Sequence, residues 1–342
     1  MSEKTYLITG ITGMVGSHLC DLLLRDPDAR IYGFCRWSSS FRNLSDAFAY
    51  VKKHQTEDRL SLIYGDLRDP LTIAKALEAV QPDVIFHLAA QSFPKASFDQ
   101  FNTTYDTNIT GTHHLLDAAM RIVPNARIHV CSSSEVFGKV SRDQLPIKES
   151  TPFHPASPYA ISKVGTDLIA KYFAEAYNLN IVITRMFTHT GPRRTDFFAE
   201  SSFAKQIAMI EAGRQEPTIQ VGNLASVRTV ADVRDAVTAY LALVNADLAP
   251  GETFNIGGNT TKSVKEILEF LCSLSSDGAE YKIALDKERL RPIDADLQIP
   301  DMTKFKNTIN WKPEYDFQTT MTDLLDYWRQ IIANHPHEYI NR

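Results

Sequence analysis

Thr5-Tyr-Leu-Ile-Thr9, Gly10-Ile-Thr-Gly13-Met-Val-Gly16 and His18-Leu-Cys-Asp-Leu-Leu-Leu24 run together near the N-terminal end of the sequence. The first segment is short, apolar and β-branched, which predicts a strand. Gly10, Gly13 and Gly16 then follow, and the apolar positions after them recur with a helical period. Strand, glycine turn and helix in this order build a dinucleotide-binding unit. Glycines let the backbone approach a pyrophosphate, and the helix N-terminus adds partial positive charge. Such a unit predicts an α/β fold around a doubly wound parallel sheet.

The next strand is Ile31-Tyr-Gly-Phe-Cys35. An NAD site would place an acidic residue after it, to take the ribose hydroxyls. Here Arg36, Trp37 and Ser38-Ser39-Ser40 follow instead. Arginine and hydroxyls suit a 2′-phosphate, which a carboxylate would repel. NADP is therefore the expected cofactor, with NAD as the alternative. A third strand, Leu60 to Tyr64, leads to Asp66 and Leu67 as candidates for the adenine edge. Val84 to Ala90 is nearly all apolar, as in a strand buried on both faces. Ala89 and Gln91 stand at its carboxyl end as cofactor candidates and Ser92 as a substrate candidate, where open α/β sheets bind ligands. Arg127 to Cys131 is another such strand and runs into Ser132-Ser-Ser-Glu-Val-Phe-Gly138. Hydroxyls and a carboxylate there are placed for catalysis.

Pro155-Ala-Ser-Pro158 then introduces a helix carrying Tyr159 and Lys163, four residues apart and so on one face. An ammonium near a phenol favours the phenolate and would lower the tyrosine pKa from about 10. A tyrosine tuned this way serves as a general acid or base near neutral pH. Tyr-x-x-x-Lys alone is common by chance; its neighbours give it meaning.

Composition sets the outer limits. Hydrophobic residues at 44% and charged residues at 23% are ordinary globular values. A net charge of −5 gives no support to nucleic-acid binding. No apolar run approaches the ~20 residues of a membrane span. No signal peptide is read at the N-terminus, and Cys20, Cys35, Cys131 and Cys272 are scattered, so a reduced, cytoplasmic protein without a metal site is expected. Residues 1–186 are read as the nucleotide-binding domain, and 187–342 as a smaller α/β substrate lobe partly interleaved with it. Leu179 to Arg185 is its last expected strand. The second lobe has helices over 203–211, 233–243, 264–274 and 319–331, and notable charges at Arg228, Asp232, Arg291 and Asp294. Arginines facing a phosphate-binding sheet could clamp a diphosphate.

Together, Thr-Gly-x-x-Gly-x-x-Gly at 9–16, Ser-Ser-Glu at 133–135 and Tyr159 with Lys163 resemble the extended short-chain dehydrogenase/reductases, which act mainly on nucleotide-activated sugars. Arg36-Trp-Ser-Ser-Ser-Phe41, Ala90-Gln-Ser92, Gly138-Lys-Val140, His189-Thr-Gly-Pro-Arg-Arg194, Val221-Gly-Asn-Leu224, Arg228, Arg291-Pro292 and Asn310-Trp-Lys-Pro313 narrow the likeness to the GDP-mannose 4,6-dehydratases. The resemblance implies a Rossmann-type fold, catalytic roles for Ser133, Glu135, Tyr159 and Lys163, and NADP contacts by His189 and Arg194. It also implies contacts of the GDP-sugar with Arg228 and Arg291, and Ser92 and Ser134 are placed with them. The Arg36–Arg42 loop is longer than one 2′-phosphate requires. In the family it reaches a neighbouring subunit, which implies a homodimer or a tetramer.

The mechanism implied is an internal redox cycle. The tyrosinate takes the proton of the sugar 4-hydroxyl as hydride passes from C4 to NADP⁺; Glu135 removes the acidified C5 proton; the 6-hydroxyl leaves as water; the hydride returns to C6. Ser133 bonds the 4-oxygen. Departures from the family pattern are Ser133 in place of threonine, Thr188 before the histidine in place of asparagine, Thr190-Gly191 in place of Glu-Ser, and Thr229 after the arginine in place of aspartate. Phe203 to Ile207 and Arg228 to Val233 look more like GDP-4-keto-6-deoxymannose reductases. A 4-keto-sugar reductase or 4-dehydrogenase, and a non-enzymatic NADP sensor, stand as alternatives. The sugar, the base and the subunit number stay open at the level of sequence.

Overall fold

The computed structural model describes residues 3–275, 278–293 and 295–334. Asp294, one of the charges singled out above, lies outside the described residues. Strands and helices alternate from the start: β1 (Lys4–Thr9), α1 (Met14–Leu23), β2 (Ala29–Cys35), α2 (Ser45–His54), β3 (Leu60–Tyr64), α3 (Pro70–Val80) and β4 (Val84–His87). Next come α4 (Pro94–Asp99), α5 (Phe101–Tyr105) and α6 (Gly111–Ile122), the last two joined by a turn of π-helix over Asp106–Thr110. Then follow β5 (Arg127–Cys131), α7 (Pro158–Tyr177) and β6 (Ile181–Met186). The remaining elements are β7 (His189–Thr190), α8 (Ala199–Glu211), β8 (Thr218–Val221), β9 (Val227–Asp232), α9 (Val233–Asn245), β10 (Glu252–Ile256), β11 (Thr260–Ser263), α10 (Val264–Ser273), β12 (Lys282–Leu285), β13 (Leu297–Gln298), α11 (Thr303–Thr308) and α12 (Phe317–Asn334).

Seven strands form one sheet in the order β10-β6-β5-β4-β1-β2-β3, with every pairing parallel. The order reverses beside β1, so this is the doubly wound, Rossmann-type α/β sheet. The inner strands β4 and β6 are buried along their whole length because helices cover both faces. Ile8, Leu19, Ile31 and Tyr240 pack on one side, and Leu7, Ile73, Leu116 and Ile128 on the other. β10 and α9 lie beyond residue 186 yet join this layer: β10 pairs with β6, and Val237, Tyr240 and Leu243 of α9 fill its core.

The fourth strand stops at His87, short of the predicted Ala90. The amides of Leu88 and Ala89 turn to the Thr9 hydroxyl, at 3.2 Å and 3.1 Å. The apolar run continues because the turn after the strand is also partly buried. In the second lobe β9 is central, flanked by β7, β11 and β13. Phe203 and Ile207 of α8, Leu268 of α10 and Trp328 of α12 close its core. Beneath the sheet, Arg185 of β6 forks onto Asp167 of α7, at 2.8 Å and 3.0 Å, under the Phe153 ring. Among the described residues no helix is long and apolar enough to cross a membrane.

Candidate active site

The first glycine turn is shaped by close approach. Gly10 holds φ +75°, and a Cβ on it would stand 2.8 Å from the Ala89 nitrogen. A Cβ on Gly16 would stand 2.3 Å from the Gly10 carbonyl oxygen. Gly13 is the N-cap of α1 and gives its first turn no side-chain acceptor. A backbone cradle at a helix N-terminus fits a pyrophosphate. Arg36 and Ser38 are exposed just past β2. Across from them, Asp66 is gripped by Arg68, with Nε at 3.0 Å and Nη2 at 2.7 Å, and this bond holds its carboxyl below the usual carboxylate range. Arg68 is thus a second cation on this side of the sheet, paired with Asp66, and nothing in the sequence pattern marked it. Leu67 turns its side chain into the core, so only its main chain can reach an adenine.

After β4, the loop is locked. Asn108, on the π-helical turn, accepts the Gln91 amide at 2.8 Å and donates to the Gln91 carbonyl at 2.9 Å. Its Nδ2 also reaches Ser162 of α7 at 2.9 Å. The Gln91 side chain braces the Phe93 backbone, while Ser92 is exposed. A π-turn often marks a functional position, and here it ties the cofactor loop to the tyrosine helix.

Tyr159 is on the first turn of α7, whose N-cap Ser157 accepts the Ala160 amide. Ser133 caps the short turn after β5, accepting the Glu135 amide at 3.2 Å, and its side chain favours ionisation of the Tyr159 phenol. Lys163, the group expected to lower the tyrosine pKa, donates Nζ to the Cys131 carbonyl at 2.5 Å, and burial pushes its ammonium below the usual lysine range. Burial drives the Tyr159 phenol well above its ordinary value, against the opposing pull of the Ser133 side chain and the Arg194 charge.

The 189–194 loop closes the same site. His189 Nδ1 donates to the Phe187 carbonyl at 3.0 Å, and burial followed by the Arg194 charge lowers its pKa to about 4, so it is neutral. Arg194 lies over the Phe198 ring at 3.4 Å and pairs with Glu200 at 3.6 Å. Arg193, at φ 68°, bridges to Asp21 of α1 and Asp46 of α2, each at 2.7 Å, and so fastens the loop to the nucleotide half. From the second lobe, Arg228 donates Nη1 to the Val227 and Asp296 carbonyls, and Arg291 Nη1 stands 3.8 Å from Glu135 Oε1. Ser134 is buried beside Glu135. Among the described residues no group of three His, Cys, Asp or Glu is gathered to hold a metal.

This constellation has known counterparts. The family model for GDP-mannose 4,6-dehydratase matches residues 7–324. The chain belongs to that family. The human GDP-mannose 4,6-dehydratase is 32% identical over 96% of this chain and 92% of its own length. Among solved structures, RMD from Pseudomonas aeruginosa complexed with NADPH is 25% identical at a TM-score of 0.79, covering 96% of this chain and 99% of that one. DesIV, a dTDP-glucose 4,6-dehydratase from Streptomyces venezuelae with NAD and TYD bound, is 26% identical at 0.82, covering 96% and 98%.

Within the family frame, the residues missed at the level of sequence were Arg68, Asn108, Arg193 and the Phe93, Phe197 and Phe198 cluster. Phe93 stacks on Phe197 at 4.6 Å and meets Phe198 edge-on at 6.1 Å. Only the paired phenylalanines gave any sequence signal, since two adjacent aromatics at a loop end invite a binding role.

Proposed function

We propose that this chain is a GDP-sugar 4,6-dehydratase. It converts GDP-mannose, or a related GDP-hexose, to the 4-keto-6-deoxy sugar with NADP retained through the cycle. The observation that carries the reading is a carboxylate, Glu135, whose amide is held by the Ser133 hydroxyl and whose charge acts on the Tyr159 phenol. A 4-epimerase or 4-dehydrogenase needs a tyrosine acid–base but no carboxylate to draw a C5 proton.

In this reading Tyr159, once ionised, accepts the 4-hydroxyl proton, and Ser133 donates to the 4-oxygen. Lys163 holds the nicotinamide ribose and the end of β5. Glu135 takes the C5 proton. NADP, when bound, takes the C4 hydride and returns it at C6. Gly10, Gly13, Gly16, Ala89 and Gln91 line its pyrophosphate and nicotinamide path, with Asp66 and Leu67 at adenine, Arg36 and Ser38 at the 2′-phosphate, and His189 and Arg194 at the nicotinamide side. The NADPH complex of the Pseudomonas relative supports NADP over NAD. Arg228 and Arg291 take the diphosphate, with Ser92 and Ser134 toward the sugar. The substrate lobe is then 187–342, less the strand and helix it lends to the larger sheet.

A homodimer, or a tetramer built from two dimers, in the cytoplasm completes the proposal. Ile161, Leu168 and Tyr172 lie on one face of α7 and are 45%, 53% and 55% exposed, which supports pairing across that helix. Trp37 in the Arg36–Arg42 loop is 83% exposed, which supports a second contact there.

The test is mass spectrometry of products from GDP-mannose in deuterated water with no cofactor added. The reading expects a product lighter by one water and carrying solvent deuterium at C5. A product that keeps its 6-hydroxyl and shows no exchange would favour the reductase or 4-dehydrogenase. Light scattering that returns a monomer would remove the dimer.

A further inference from the structure

Glu135 and Arg291 come from opposite sides of the cleft. Glu135 sits on a one-turn 3-10 helix after β5, anchored through the Ser133 cap. Arg291 sits in the stretch between β12 and β13. Arg291 Nη1 stands 3.8 Å from Glu135 Oε1, with the Arg291 side chain 25% and the Glu135 side chain 17% exposed. Charge-assisted bonds close to about 2.7–2.9 Å. This is a loose ion pair in a half-open cleft, held by charge and not by a directed hydrogen bond. Such a pair is weak and readily exchanged.

The same stretch is tied to the second arginine of the cleft. Arg228 donates to the carbonyl of Asp296, and Gln298 on β13 pairs in register with Arg228 on β9. A diphosphate landing on Arg228 therefore arrives at Asp296, in the same inter-strand stretch as Arg291. It also brings more negative charge, and a geometry that suits a guanidinium fork.

We propose that Arg291 is a positioning residue for Glu135 that works by exchange: it holds the carboxylate toward the second lobe until the substrate diphosphate takes the guanidinium, and only then is Glu135 released onto the sugar C5. The inference rests on the reading of Glu135 as the C5 base. Its consequence is that the base is engaged only when the nucleotide end is seated, so a stray sugar in the pocket is not deprotonated. A diphosphate clamp alone has no such consequence.

The experiment separates the two halves of the substrate. Free 4-keto-6-deoxymannose, which has no phosphate, is incubated with the holoenzyme in deuterated water, with and without GDP, and C5 exchange is followed by NMR. Wild type should exchange about two- to fivefold faster with GDP, the range a weak, half-exposed ion pair allows. Arg291→Gln should exchange at the GDP-stimulated rate with no GDP present. Arg291→Lys, which keeps the cation, should restore the dependence on GDP. Equal wild-type rates with and without GDP, or a slow Arg291→Gln enzyme, would overturn the proposal, as would a GDP complex whose crystal structure keeps the Arg291–Glu135 pair. Exchange that persists in Glu135→Gln would instead remove the reading of Glu135 as base, a separate outcome.

Discussion

Replacing Ser133 by alanine tests the electrostatics of the site most directly. The hydroxyl accepts the Glu135 amide and favours ionisation of the Tyr159 phenol, a tyrosine whose burial opposes it. When the phenol loses its proton, that hydroxyl becomes a donor to a charged oxygen. A hydrogen bond to a charged group is worth about 1.5–3 kcal/mol. At 1.36 kcal/mol per pKa unit, removing it should raise the Tyr159 pKa by about 1–2 units. The sign follows from which form is active. The phenolate is the base, so a higher pKa leaves less of it at any pH below that value. At pH 7 kcat should fall about 10- to 100-fold, and the acid limb of the kcat profile should move up by the same 1–2 units, so activity recovers as pH rises. The assay is the pH dependence of kcat for wild type, Ser133→Ala and Ser133→Thr with GDP-mannose. The threonine variant keeps the hydroxyl and should track wild type. An alanine variant that loses activity equally at every pH would show that Ser133 only places the substrate, and the argument about phenol ionisation would be wrong.

Glu135→Gln keeps the size and one acceptor oxygen but no basic site; it should pass C4 oxidation and lose about 10²–10⁴ in dehydration, with transient NADPH absorbance and a 4-keto product that retains its 6-hydroxyl. A variant dehydrating at the wild-type rate would clear Glu135 of the role. Arg36→Asp should weaken NADP at least about tenfold more than NAD, since one charge-assisted bond of about 1.5–3 kcal/mol is lost and a like charge is added; release of only NAD from denatured wild-type protein would contradict the 2′-phosphate site. Asp167→Ala leaves the Arg185 guanidinium, 8% exposed, without its partner. Urea unfolding should report about 3–5 kcal/mol of lost stability, and a loss under about 1 kcal/mol would mean that the Glu149 carbonyl and the Phe153 ring suffice for Arg185.

What the sequence determined by itself was everything written in short-range pattern. The strand at 84–87 is a nearly continuous apolar run because the sheet is covered on both faces, and such a run is visible residue by residue. The glycines at 10, 13 and 16 answer to a backbone crowded within one turn. Tyr159 and Lys163 share a helix face by spacing alone. The partners of these residues depend on the fold. Lys163 bonds a carbonyl on β5, Arg193 reaches two helices of the nucleotide half, Asn108 clamps a loop across a π-turn, and Arg291 meets Glu135 from the other lobe. β10 enters the large sheet from far along the chain. Each of these contacts joins segments that have no local relation to one another, so no periodicity records them. The ionisation of Tyr159 belongs with them. It depends on how much of the phenol is buried and which hydroxyl lies beside it, and those are set only when the sheet, the tyrosine helix and the second lobe have closed around it.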